Sequence, residues 1–272
     1  MQVRIANHGY TIIWEGVYYF ALSDYPHISA WELKKLLTFI EYENRHGRHV
    51  EIVCEDKNIM DIVNYAIAHS DGYKNVSLPN KITECTYCND NRCITKFVCH
   101  TAAPDNAKKI FTSGKLLSAV KAFNKTGEEL AADSRNAAGD PADYFDYIMF
   151  SWGNCTAGDN LVMERLLNRG AKADELENAL MPGIRFYFRY ADIIGHYGYV
   201  FDGYHPAKIK DELLLSDYLH ACIIPKQFQF EFTNLIQSEI CNRVYYLEQN
   251  GLGLKDWTGK VYNFVKGLGD NN

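Results

Sequence analysis

The sequence predicts an α/β (α+β) protein: a mixed β-sheet core with flanking helices, preceded by a small N-terminal α/β unit. Three observations predict it. Short apolar, β-rich segments (FDYIMFSW, GIRFYFRY, HACIIP) are separated by helical patterns and polar loops. The 272 residues, 47% apolar and 23% charged, match an average globular protein and allow one large domain or two small ones. A polar, cysteine-rich junction at residues 81–99 separates residues 1–80 from a differently patterned region, 97–272.

Taken in order, QVRIANHGYTIIWEGVYYFAL has β-rich composition broken at His-Gly and Glu-Gly, the signature of a short meander. Ser29 is placed to cap AWELKKLLTFIEYENRHG, whose Trp31, Leu33, Leu36, Leu37 and Ile40 make an approximate helical stripe. HVEIVCED reads as a strand, and NIMDIVNYAIAHSDG as a second helix closed by Asp-Gly. FVCHT is a strand entering a turn, and PDNAKKIFTSGKLLSA a helix ending near Gly114. Residues 124–142, rich in Ala, Gly and Asn, predict a long loop; three apolar strands follow, and QFEFTNLIQSEICNRVYYLEQNG predicts a helix stopped at Gly251.

With 28 Lys+Arg against 34 Asp+Glu, the net charge of −6 argues against tight non-specific nucleic-acid binding, while leaving room for a local basic groove. No run of about 18 apolar residues is present, so no membrane span is expected. MQVRIANHGY lacks the basic stretch and apolar core of a signal peptide, which predicts a cytoplasmic protein with reduced cysteines. Cys54, Cys222 and Cys241 sit in apolar surroundings and predict small core residues. Cys85, Cys88, Cys93 and Cys99 offer four thiolates, enough for a tetrahedral structural zinc, with Cys54 an alternative fourth ligand; a set of unligated thiols is the plainer reading. Cys99 and His100 cannot act as a nucleophile–base pair, because adjacent strand residues point to opposite faces.

Three segments, in this order, carry a resemblance. The first runs from His100 through Asp105, Asn106, Ile110 and Gly114 to the Leu-Leu-Ser ending at Ser118. The second is Arg135 in DSRNAAGDPADYF, leading into Asp146-Tyr147-Ile148-Met149-Phe150. The third is Lys208-Ile-Lys-Asp211-Glu212-Leu-Leu-Leu. Together, over about residues 97–230, they resemble the DarT-like family of DNA (nucleobase) ADP-ribosyltransferases. The resemblance implies an ADP-ribosyltransferase-like sheet over residues 97–272, NAD as substrate, a single-stranded nucleic-acid acceptor, and a toxin or defence role balanced by an antitoxin protein. It assigns catalysis to Glu212, supported by Arg135.

The chemistry gives these residues roles. Cleaving the nicotinamide–ribose bond builds oxocarbenium character at the anomeric carbon, as in glycoside hydrolysis. A carboxylate, Glu212, can stabilise that charge or take a proton from the acceptor. His100 and Thr101, at a strand end, can bind ribose. Asn106 can contact the nicotinamide amide, and Arg135 can clamp pyrophosphate or acceptor. Tyr147 or Phe150 can stack on nicotinamide. Plainer readings stand beside each: a structural histidine, an N-cap asparagine, a solvated arginine, core aromatics, and KIKDELLL as a charged helix start. RFYFRYADIIGHYGYVFDGYHP, with Arg185 and Arg189, reads either as a base-stacking clamp or as an ordinary strand and surface loop. Rival functions are ADP-ribosylation of protein, simple NAD hydrolysis, and a non-catalytic zinc-stabilised binding module.

Overall fold

The computed structural model describes residues 1–6, 12–14, 16–77, 81–82, 93–94, 96–133 and 140–268. The chain divides into two units. The first comprises the described residues up to 94 with 140 and 201–206 inserted from later in the chain; the second is formed by 96–133, 141–200 and 207–268.

In the first unit, β1 (Gln2–Ala6), β2 (Ile12–Trp14), β3 (Val17–Ala21) and β4 (Glu51–Val53) form a sheet in the order β2-β3-β1-β4. The expected meander is corrected here. Only β2 and β3 make a hairpin, whereas β1 runs parallel to both β3 and β4. Helices α1 (Ala30–Arg45) and α2 (Lys57–Ala68) cover the sheet. Ser29 caps α1 with a full capping box: it accepts from the Glu32 N–H, and the Glu32 carboxylate accepts from the Ser29 N–H. The buried stripe of α1 is Leu33, Leu36, Phe39 and Tyr42, one step round from the sequence-derived stripe, with Leu37 and Ile40 at its margin. Strands β5 (Lys81–Ile82) and β6 (Cys93–Ile94) pair with each other.

The second unit begins with β7 (Phe97–Ala102), α3 (Pro104–Ser113), β8 (Lys115–Leu117), α4 (Ala119–Phe123) and α5 (Gly127–Ala131). Thus the stretch expected to be loop holds a short helix, capped by a Thr126–Glu129 box. Next come β9 (Tyr147–Trp152), α6 (Ala157–Leu167), α7 (Ala173–Asn178), β10 (Ile184–Arg189), α8 (Tyr190–Ile194) and β11 (Tyr199–Val200). The chain finishes with β12 (Ala207–Lys210), β13 (Glu212–Leu214), α9 (Leu215–Tyr218), β14 (Leu219–Pro225), α10 (Gln229–Phe232), β15 (Val244–Leu247) and α11 (Leu254–Gly267).

Seven of these strands form a mixed sheet in the order β11-β12-β9-β7-β10-β14-β15, antiparallel except for β14 with β15. A mixed α/β architecture therefore holds. The single helix expected over residues 229–250 does not: that region is α10, a 3-10 turn at Ser238–Arg243 and strand β15. Gly251 does sit at a positive φ of 72°, but it ends a turn after a strand. Cys241 is exposed rather than buried, while Cys222 lies fully buried in β14.

One face of the large sheet packs Phe186, Phe150 and Phe188 with Phe111 of α3 and Phe232 of α10. The other face meets α11 through Cys99, Tyr187, Trp257 and Tyr262, and α6 through Thr101 and Arg185. There Arg185 is fully buried, its Nε donating to Asp159 at 2.7 Å and its other nitrogens to Tyr187, Thr258 and the Cys155 carbonyl. This corrects the reading of Arg185 as a base clamp. A buried guanidinium whose hydrogen-bond donors are spent on the core cannot reach a ligand without breaking an ion pair in a low-dielectric interior.

Candidate active site

Strand alternation sets the first member of the site. On β7, His100 lies opposite Phe186 of β10, while Cys99 lies opposite Tyr187. The two neighbours thus face opposite sides of the sheet, as the sequence requires. His100 makes an edge contact with Phe150, ring centroids 6.3 Å apart. Its Nδ1 lies 3.2 Å from the Met149 carbonyl. A carbonyl only accepts, so Nδ1 carries the proton and Nε2 is the free acceptor. Burial lowers the pKa of the ring, keeping the imidazole neutral.

The second member is made by a break in a strand. β12 ends at Lys210, and Asp211 adopts φ 68°, a left-handed conformation that Asp tolerates better than most residues. The Asp211 N–H donates to the Asp146 carbonyl at 3.1 Å, and its own carbonyl accepts from Ser118 N–H at 2.7 Å. The chain is thereby handed from β9 to β8, with Glu212 opposite Leu117, Leu213 opposite Leu116 and Leu214 opposite Lys115. Leu116 and Leu213 are buried, so Glu212 and Lys115 share the outward face. Lys115 Nζ lies 3.0 Å from Glu212 Oε2, and Lys121 of α4 lies 3.7 Å from Asp211. The Lys115 hydrogen bond and charge, with a smaller contribution from Lys121, hold the Glu212 carboxyl below the ordinary carboxylate range. Glu212 is therefore an ionised, solvent-accessible carboxylate. KIKDELLL is strand, not a charged helix start.

The remaining sequence-derived residues fall at different places. Asn106 sits in the first turn of α3, where Ala103 is the N-cap and Pro104 follows it; Asn106 is half-buried and its amide makes no hydrogen bond among the described residues. It is not the N-cap. Thr101 points away from His100, toward Cys99, and a Cβ built on Gly158 of α6 would come within 2.3 Å of its hydroxyl. Phe150 is buried against Phe188. Tyr147 stacks under the ammonium of Lys208, which lies 4.7 Å from its ring centroid and 4.1 Å from that of Tyr144. Arg135, Cys85 and Cys88 lie outside the described residues, as does the side chain of Cys93. Cys99 is buried among core side chains, and desolvation pushes its thiol up to about 12. Among the described residues no group of three or more His, Cys, Asp or Glu is arranged to hold a metal ion.

The structure thus joins Lys115, Glu212, Asp211, Lys121 and Ser118 in one corner. His100 stands on the central strand of the same unit, with no hydrogen bond or ion pair to Glu212 among the described residues. Lys115 and Lys121 were missed in the sequence. The ion pair spans 97 residues, and only the register of β8 against β13 creates it. Ser118 carries a further signal: its hydroxyl is buried and has no hydrogen-bond partner among the described residues, in a position that N-caps α4 without using its side chain.

Comparison with protein-family models, curated proteins and solved structures finds no match to this chain.

Proposed function

We propose that the second unit is an NAD-dependent mono-ADP-ribosyltransferase that modifies a nucleic-acid base, with Glu212 as its catalytic carboxylate. The observation that carries this reading is the Glu212 corner. An ionised carboxylate stands on the outward face of the two-stranded β8–β13 pair, in the last of the His100, Arg135 and Glu212 segments that follow one another in the sequence. In the reaction the nicotinamide C–N bond breaks and its electron pair leaves with neutral nicotinamide. Glu212 faces the positive charge that develops at the anomeric carbon, and takes the proton released when the acceptor nitrogen forms the new bond. Neutral His100, with Nε2 as acceptor, suits a ribose hydroxyl donor. Asn106, with an uncommitted amide, suits the carboxamide of nicotinamide. The toxin role and an antitoxin partner follow only from the resemblance.

Nicotinamide release from NAD, with and without a mixed single-stranded DNA oligonucleotide, tests the reading. The wild-type chain is expected to release nicotinamide faster with the oligonucleotide and to add ADP-ribose mass to it. Glu212→Ala is expected to lose about 10²–10³-fold in rate, the scale of losing one preorganised electrostatic stabiliser. Release without labelling of the oligonucleotide would move the acceptor to protein or water. Undiminished turnover by a folded Glu212→Ala variant would overturn the mechanism, and no release at all would favour a binding module.

A further inference from the structure

Glu212 is not waiting free for a substrate. Its carboxylate is engaged by Lys115, and both side chains are about one-third exposed, 38% and 32% respectively. The pairing is diagonal: Lys115 lies opposite Leu214, two residues along β13 from Glu212. A lysine reaching diagonally across a strand pair spans about 7–8 Å between backbones, so its long stem is already extended along the surface. The charged groups around this carboxylate are Lys115 from β8, Lys121 from α4 and Asp211 from the break just before β13; Lys121 is itself committed to Asp211. The quartet is neutral as it stands. An incoming dianion would find two ammonium groups whose present partners are exposed monoanions, and exposed pairs of this kind hold together weakly.

We propose that Lys115 is the phosphate-binding arm of this site: it rests on Glu212 in the empty chain and moves to the diphosphate of an incoming dinucleotide, which releases the Glu212 carboxylate toward the ribose. The inference rests on the proposed transferase reading, and it adds a ligand class and a positioning residue to it. No bond is made or broken in the exchange; one ion pair replaces another. An ammonium on a flexible stem suits the task better than a guanidinium, because it acts as a mobile point charge that need not hold a fixed fork geometry. Lys115 also explains how a carboxylate so near solvent stays oriented before substrate arrives.

The test uses the full chain and two probes, inorganic pyrophosphate and ADP-ribose, with the Glu212 carboxyl carbon followed by NMR across pH. In the wild type each probe is expected to raise the Glu212 midpoint as Lys115 departs. In Lys115→Met the midpoint is expected to lie higher without any probe and to move little when one is added. Affinity for pyrophosphate should fall roughly tenfold in that variant, the loss of one charge-assisted contact, and be largely restored in Lys115→Arg. Pyrophosphate that binds Lys115→Met as well as wild type, that leaves the wild-type midpoint unmoved, or that does not bind the wild type at all would overturn the proposal. These readouts need no turnover, so an absence of nicotinamide release would count against the transferase reading alone.

Discussion

At Glu212 the backbone and the charges do separate jobs. The left-handed Asp211 turns the chain so that the carboxylate faces outward, and Lys115 keeps it ionised. Because that pKa is lowered, the anionic form persists as pH falls through the ordinary carboxylate range. The kcat/KM for nicotinamide release, which reports groups of the free chain, should therefore hold as pH falls through the ordinary glutamate range in the wild type, as far as the fold itself survives, and its acid limb should shift upward in Lys115→Met. A pH–rate profile of the two proteins checks this; coincident acid limbs would remove Lys115 from the account. His100 gives a second prediction. An asparagine amide can replace Nδ1–H as donor to the Met149 carbonyl but offers no group where Nε2 stood. His100→Asn should fold with a melting temperature within about 3 °C of wild type. Its kcat/KM should fall roughly tenfold or more. Unchanged turnover in a folded variant would make His100 purely structural. Both residues were singled out in the sequence by the segments that carry the resemblance; the structure sets His100 inside β7 and Glu212 at the start of β13. Their pairing with Met149 and Lys115 was not legible, since each partner is chosen by sheet register across many residues.

Among the elements, two helical glycines separate close packing from mere spacing. A methyl on Gly158 of α6 would meet the Thr101 hydroxyl at 2.3 Å and its Cβ at 2.6 Å, inside a layer bounded by β7. Gly259 of α11 has nothing within 4 Å of the same construction. Gly158→Ala should destabilise by about 1–3 kcal/mol through overpacking, whereas Gly259→Ala should stabilise by up to about 1 kcal/mol through helix propensity. Urea unfolding of the pair decides it, and equal effects would mean that α6 moves off the sheet at little cost. The same contrast explains what the sequence revealed. Helices α1 and α3 were legible because their boundaries are local chemistry: Ser29 with Glu32 at one start, Pro104 and the left-handed Gly114 at the other's two ends. Residues 229–250 were not. Their apolar residues have helical spacing, but β15 is claimed by pairing with β14 and the preceding segment breaks into short turns. α11, which covers a sheet face with Trp257, Val261 and Val265, was passed over because two glycines and a polar start blur its pattern. The parallel pairing of β1 with β3 has no local sequence signal at all.

Across the whole molecule, buried ionisable groups set how stability depends on pH. His100 and His196 both have folded pKa values lowered, first of all by burial. A group depressed in the folded state contributes stability above its unfolded pKa and loses it as pH falls, so these two histidines weaken the fold from about pH 6.5 downward. Cys99, pushed up to about 12, and Cys222, Tyr187 and Tyr18, each raised chiefly by burial, behave oppositely. Their contribution is complete below the unfolded thiol and phenol values and declines as pH climbs past about 8.5 for the thiols and 10 for the phenols. Lys35 opposes that decline. Burial brings its amine down to about 8, so the chain gains from its neutrality as pH rises from there toward the unfolded lysine value. Four groups outweigh one, and the net expectation is a plateau between about pH 6.5 and 8.5 with losses on both sides. Cys99 alone should contribute roughly 1–2 kcal/mol of the loss by pH 10. Denaturant midpoints of wild type and Cys99→Val measured from pH 5 to 10 test this directly. The variant should keep the acid limb and lose part of the alkaline one. An unchanged alkaline limb would mean that the thiol ionises within the fold at its ordinary value, and that the layer between β7 and α11 admits water.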